Sequence, residues 1–165
     1  MDDITQFAVY LAQESGKVQK EYYRKGFEIR HKGETDLVTD VDIACQERIV
    51  ALIGERYPLD NIIAEEKENT LQMPGNAWIV DPIDGTTDYA HRYPFFCTSV
   101  AYRTGGVVVS GAVYNPIFDE LFYASKGGGA WFNGQQVFVS EVSSMRQALL
   151  STGFPYDLAT NPRNN

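Results

Sequence analysis

From Ile4 onward, apolar or small residues recur at Phe7, Ala8, Leu11, Ala12, Ser15 and Val18. Steps of three and four residues place side chains on one stripe of an α-helix. The pattern predicts a helix ending near Gly26, then a short linker or strand over Ile29 to Lys32. Gly33-Glu34-Thr35-Asp36 is turn-like and leads into Leu37-Val38. A second helix is predicted from near Thr39 to Arg56, with Cys45, Ile49, Leu52 and Ile53 on its inner face. Tyr57-Pro58 ends it, since proline cannot continue the backbone ladder. The period then shortens. Asn61-Ile62-Ile63-Ala64 and Trp78-Ile79-Val80 read as buried strands that deliver Glu65-Glu66 and Asp81. Between them Lys67 to Asn76 is polar, contains Pro74-Gly75 and reads as a surface loop. Residues 96–103, 107–115 and 119–124 read as strands joined at Thr104-Gly105-Gly106 and Asn115-Pro116. Asn133-Gly134, between Ala130-Trp131-Phe132 and Val137-Phe138-Val139, is a hairpin signal, because Asn and Gly tolerate the positive φ of a type I′ turn. No internal repeat is found. Helices first and an antiparallel meander afterwards predict an α+β class, with helices packed on one face of a largely antiparallel sheet. The polar stretch from Asn161 to Asn165 reads as the middle of a loop.

Composition narrows the function classes. With 165 residues, 44% of them hydrophobic and 13% aromatic, the chain is sized for one packed core. No apolar run approaches the roughly 18 residues of a membrane helix. Met1-Asp2-Asp3 is acidic and leads into an amphipathic pattern, so no secretory or mitochondrial leader is evident and a cytoplasmic location is expected. The charge of −8, from 14 Lys+Arg against 22 Asp+Glu, argues against nucleic acid as a partner. A ligand carrying phosphate would need a cation to supply positive charge. Cys45 and Cys97 lack CxxC spacing and are expected to be buried small hydrophobes rather than a disulfide or a zinc site.

The chemistry concentrates in Trp78-Ile79-Val80-Asp81-Pro82-Ile83-Asp84-Gly85-Thr86-Thr87, an apolar strand ending in two carboxylates with proline between them. Hard divalent cations take oxygen ligands, and Mg²⁺ commonly uses one or two carboxylates with phosphate and water. Asp81 and Asp84 fit a shared cation cluster, with the Ile83 carbonyl on the same side. Gly85 permits close backbone approach, and a helix starting at Thr86 would turn free N–H groups toward a phosphate. An isolated Asp-x-x-Asp is more often an ordinary helix cap, and the whole string is what outweighs that reading. Adjacent glutamates such as Glu65 and Glu66 are commonly a solvated strand end. One of them is able to aim at the same cluster while its neighbour points away. Thr39-x-x-Asp42 fits a capping box at the second helix, and a catalytic role for Asp42 requires it to reach the Thr86 hydroxyl. His31 and His91 lack ligand spacing, and no Gly-x-Ser-x-Gly elbow occurs.

Taken together, Asp36-Leu37-Val38-Thr39-x-x-Asp42, Ala64-Glu65-Glu66 and the Trp78-to-Thr87 string resemble the inositol monophosphatase family of Mg²⁺-dependent, lithium-sensitive sugar phosphatases. Gly127-x-Gly129-Ala130-x-x-Asn133-Gly134 and Thr152-Gly153-Phe154-Pro155-Tyr156 are similar to it as well. The resemblance covers essentially the whole chain. It implies the N-terminal part of the family's α+β sandwich and hydrolysis of a small polyol or sugar phosphate by two or three Mg²⁺ ions, with Mn²⁺ as a substitute. It further implies that Glu65, Asp81 and the Ile83 carbonyl hold the first ion, and that Asp81 and Asp84 share in the second. By the same resemblance Asp42 and Thr86 orient the attacking water, and Gly85 and Thr86 offer backbone N–H groups to the phosphate. Asp88 stands where family members usually carry Asn, adding a negative charge near the phosphate. The family's C-terminal α/β layer, with its Trp-Asp-x-Ala-Ala-Gly motif, is not matched: the tryptophan pairs here are Trp78-Ile79 and Trp131-Phe132. Residues 1–165 are therefore expected to be an N-terminal metal- and phosphate-binding domain of a longer, homodimeric protein. Fructose-1,6-bisphosphatase or nucleotide 3′-phosphatase activity is the alternative within the superfamily. A non-catalytic metal-binding interaction module is the alternative if the protein ends at Asn165.

Overall fold

The computed structural model describes residues 1–31, 37–64 and 75–151, and for residues 30–31 and 37–38 the backbone only. Helix α1 (Asp3–Lys25) begins where Asp2 accepts the Thr5 N–H at 2.8 Å, and it ends at Gly26, whose N–H donates to the Tyr22 carbonyl. Strands β1 (Ile29–His31) and β2 (Leu37–Thr39) form a small antiparallel pair ahead of helix α2 (Asp40–Arg56). The expected capping box is present at α2, with Thr39 as N-cap and Asp42 as its partner.

A seven-stranded sheet follows in the order β3 (Asn61–Ala64), β4 (Ala77–Asp84), β5 (Cys97–Thr104), β6 (Val107–Asn115), β7 (Glu120–Ser125), β8 (Gly129–Phe132), β9 (Gln135–Val137). Helix α3 (Thr86–Ala90) lies between β4 and β5. The sheet is antiparallel except for β3, which pairs parallel to β4. Helices α1 and α2 pack on one face, over Trp78, Val80, Val100, Tyr102, Ala112 and Tyr114, with Phe7, Leu11, Ile49 and Ile53 filling the interface. Fully burying a side chain of this kind is worth about 1.5–3 kcal/mol. The approach of α1 is close: a Cβ on Gly16 would fall 2.6 Å from the Tyr114 ring. A second apolar cluster, Val41, Cys45, Ile83, Tyr89 and Phe96, sits where α2, β4 and α3 converge.

Three expectations are corrected. β4 does not stop at Asp81 but continues to Asp84 through an irregularity. Asn133 and Gly134 make the hairpin with φ of 45° and 82°, but β9 ends at Val137, leaving Phe138 and Val139 exposed beyond the sheet's last strand. Cys45 is buried as expected, whereas Cys97 is only half-buried, and both are free thiols. Among the described residues no helix is long and apolar enough to cross a membrane.

Candidate active site

Two carboxylates three positions apart on a regular strand would point to opposite faces, because strand side chains alternate. The irregularity in β4 removes that conflict. Asp81 pairs with Ser99 and Asp84 with Cys97, so Pro82 and Ile83 together oppose the single residue Thr98. Such an extra residue is a β-bulge, and it puts Asp81 and Asp84 on the same face. That face is the one away from α1, since Thr98 turns inward to hydrogen-bond Ser15 while Cys97 and Ser99 stay partly exposed. Proline suits the bulge because it has no N–H to offer the ladder. Ile83 is anchored in the second apolar cluster at 1% exposure.

Asp42 resolves the ambiguity of its sequence context by serving both roles. Its Oδ2 accepts from the Thr39 N–H at 2.7 Å and the Thr39 hydroxyl at 2.6 Å. Its Oδ1 accepts from the Thr86 hydroxyl at 3.1 Å, across 44 positions of sequence. The Thr86 hydroxyl also lies 3.0 Å from the Ile83 carbonyl. With one proton directed to these two acceptors, the Thr86 oxygen keeps a lone pair able to accept a hydrogen bond from water. Gly85, the N-cap of α3, is left-handed at φ 93°. A Cβ there would sit 3.0 Å from the Phe95 carbonyl, so both its conformation and its surroundings call for glycine. No side chain caps α3, and the first N–H groups of a helix have no intrahelical acceptor.

The field at this point is negative. Burial raises the Cys97 thiol to about 12, and Asp84 and then Asp81 add to the rise. Asp84, Gly85 and Asp88 line a cavity of about 270 Å³ together with Phe95, Val113 and Phe122. The donor set around the bulge is oxygen only: two carboxylates on one face and the Ile83 carbonyl, which suits a hard divalent cation. Among the described residues no group of three His, Cys, Asp or Glu side chains gathers to hold a metal. Glu65 and Glu66 lie outside the described residues, as do Gly33 to Asp36, residues 67–74 of the stretch expected to be a surface loop, the Thr152-to-Tyr156 motif and Asn161 to Asn165. His91 is exposed.

The hydrophobic pattern did not single out Gln19 or Thr98, and it counted Ser15 only as a small residue of the inner stripe. All three are fully buried behind the bulge, with polar atoms on the Pro82 carbonyl. Gln19 lies one residue beyond Val18, at a four-residue step from Ser15, so helical spacing alone places it on the inner face.

Comparison with known proteins gives a consistent result. The family model described as the inositol monophosphatase family matches residues 1–165. An inositol monophosphatase of Dictyostelium discoideum is 40% identical over 161 residues, covering 95% of this chain and 59% of that protein. A Thermotoga maritima protein named fructose-1,6-bisphosphatase/inositol-1-monophosphatase is 36% identical over 152 residues, covering 92% of this chain and 59% of that one. A solved Thermotoga maritima IMPase superposes with a TM-score of 0.87 at 34% identity, over 99% of this chain and 65% of that one. The chain thus spans about three-fifths of the length of the curated relatives it matches.

Proposed function

This chain belongs to the inositol monophosphatase family, and from that premise we propose that it forms the metal- and phosphate-binding part of a divalent-ion-dependent phosphomonoesterase acting on a small polyol or sugar phosphate. The observation that carries the reading is the 3.1 Å hydrogen bond from Thr86 to Asp42, beside a bulge that brings Asp81 and Asp84 to one face. Asp81, Asp84, the Ile83 carbonyl and Glu65 would hold Mg²⁺, two or three ions in all, with Mn²⁺ as a substitute. A divalent ion bound there supplies charge neutralisation for the phosphate and lowers the pKa of water.

The remaining steps belong to the protein. Gly85 and Thr86 bind phosphate oxygens through backbone N–H groups at the start of α3. Thr86 accepts a hydrogen bond from the attacking water and donates its own proton toward Asp42, so the pair orients the nucleophile and the carboxylate favours loss of its proton. No phosphoenzyme is required, because the threonine positions water rather than attacking. Inositol 1-phosphate is the first substrate to try; fructose 1,6-bisphosphate and nucleotide 3′-phosphates are the alternatives, the first of them named for the Thermotoga relative. Lithium inhibition, a homodimer and a cytoplasmic location complete the proposal.

Phosphate release from inositol 1-phosphate by the complete gene product, with and without Mg²⁺ and Li⁺, tests it. Ion-dependent turnover suppressed by lithium is expected, together with weak or no turnover from residues 1–165 alone. Turnover indifferent to divalent ions would contradict the reading.

A further inference from the structure

Behind the bulge, three side chains from two elements converge on one backbone oxygen. The Pro82 carbonyl is 2.8 Å from Gln19 Nε2, 2.9 Å from Thr98 Oγ1 and 3.3 Å from Ser15 Oγ, each of which donates toward it. Gln19 Nε2 also donates to Thr98 Oγ1 at 2.8 Å, and the Thr98 and Ser15 hydroxyls are 2.8 Å apart. The Tyr89 hydroxyl of α3 donates to the Gln19 carbonyl at 2.8 Å, tying the same turn of α1 to the helix that carries Thr86. Ser15, Gln19 and Thr98 are all 0% exposed.

Stability alone is a poor account of this cluster. Polar groups at core positions cost free energy unless they are hydrogen-bonded. Gln19 Oε1 is buried without a hydrogen-bond partner among the described residues, a cost that an aliphatic side chain at this position would avoid. What the cluster does hold is a peptide plane. The carbonyl of Pro82 and the N–H of Ile83 belong to one rigid unit, so gripping that oxygen fixes the peptide plane at the centre of the bulge, between Asp81 and the next unit, which carries the Ile83 carbonyl and leads to Asp84.

We infer that Ser15, Gln19 and Thr98 are positioning residues: a buried clamp on the Pro82 carbonyl that sets the Asp81–Asp84 bulge in ion-binding geometry. The inference rests on the reading of Asp81 and Asp84 as ion ligands. Groups that orient ligands from behind are worth about 10- to 100-fold in metal affinity. Direct titration of the full chain with Mn²⁺ alone, at a temperature where circular dichroism shows every variant folded, tests the clamp. Thr98→Val, which keeps the shape and removes the hydroxyl, and Gln19→Leu are each expected to weaken Mn²⁺ binding about 10-fold or more, and Thr98→Ser to restore it to within about twofold. Gln19→Leu is expected to melt no lower than the parent, since it removes an unpartnered buried acceptor. Parental affinity in both Thr98→Val and Gln19→Leu, with Asp81→Asn still losing the ion, would overturn the clamp and leave the ion-site reading standing. Parental affinity in Asp81→Asn would overturn both. Weakening that merely follows loss of near-ultraviolet dichroism would overturn the clamp.

Discussion

Asp42 joins a helix start to a hydroxyl on another element with a single carboxylate, one oxygen for each. An amide at this position keeps only one acceptor oxygen, so Asp42→Asn must either lose the cap or turn the Thr86 hydrogen bond round, with the amide donating to the hydroxyl oxygen. In the complete gene product, Asp42→Asn and Thr86→Ala are each expected to lower kcat by about 10²–10⁴-fold with little rise in KM, because in the proposed site backbone groups would hold the phosphate. The double variant should be little worse than either single one, and kinetics showing additive losses would reduce Asp42 to a helix cap. Glu14 offers a test unconnected with catalysis. Its carboxylate, nearly buried on α1, is bound by Arg48 and Lys17, and these hydrogen bonds hold its pKa below the ordinary glutamate value. A lowered folded pKa contributes stability that is present above the unfolded value and lost as pH falls through the folded one. Glu14→Gln should therefore lower Tm at pH 7, and the gap between variant and parent should close below about pH 4. A gap independent of pH in thermal melts would assign the effect to packing instead.

At the scale of elements, the close approaches are the sensitive points. Gly85→Ala must accommodate a Cβ at φ 93° and 3.0 Å from the Phe95 carbonyl, and a loss of about 1–3 kcal/mol is expected in denaturant unfolding. Gly16→Ala, whose Cβ meets the Tyr114 ring, should cost a similar amount, about 1–3 kcal/mol, by pushing α1 away from β6. What the sequence displayed was the local chemistry of each element: the α1 stripe, the Thr39–Asp42 box, the Asn-Gly hairpin and the start of α3 at Thr86 all correspond to observed features. Features set by neighbours were less visible. The parallel pairing of β3 with β4 follows from which strands meet, and the early end of β9 from its place at the sheet edge. The bulge is intermediate: Asp-Pro-Ile-Asp announced two carboxylates, but that both face one way depends on Thr98 opposing two residues at once. Gln19 was legible by helical spacing and hidden by its polarity, since a hydrophobic pattern passes over a glutamine that is buried by its hydrogen bonds.

Among the described residues, the seven-stranded sheet carries helices α1 and α2 on one face. On the other, Gly111, Val113, Phe122, Ala124 and Ala130 line a depression of about 670 Å³, and Phe122 stacks on Phe132 with ring centroids 4.5 Å apart. Apolar surface of this extent promotes association. Residues 1–165 alone are expected to self-associate and to bind a hydrophobic dye, and Phe122→Ser to reduce both; a monomeric, dye-free chain in analytical ultracentrifugation would contradict this. Whether Asp81 and Asp84 hold the ion on which the proposed phosphate hydrolysis depends is decided by the Mg²⁺ dependence of phosphate release from inositol 1-phosphate in the complete gene product and its Asp81→Asn variant. Turnover should nearly vanish at every Mg²⁺ concentration in the variant, while its ion-free Tm stays level or rises, because one of two clustered negative charges is gone. Near-parental turnover with an unchanged Mg²⁺ dependence in a folded Asp81→Asn protein would contradict the account.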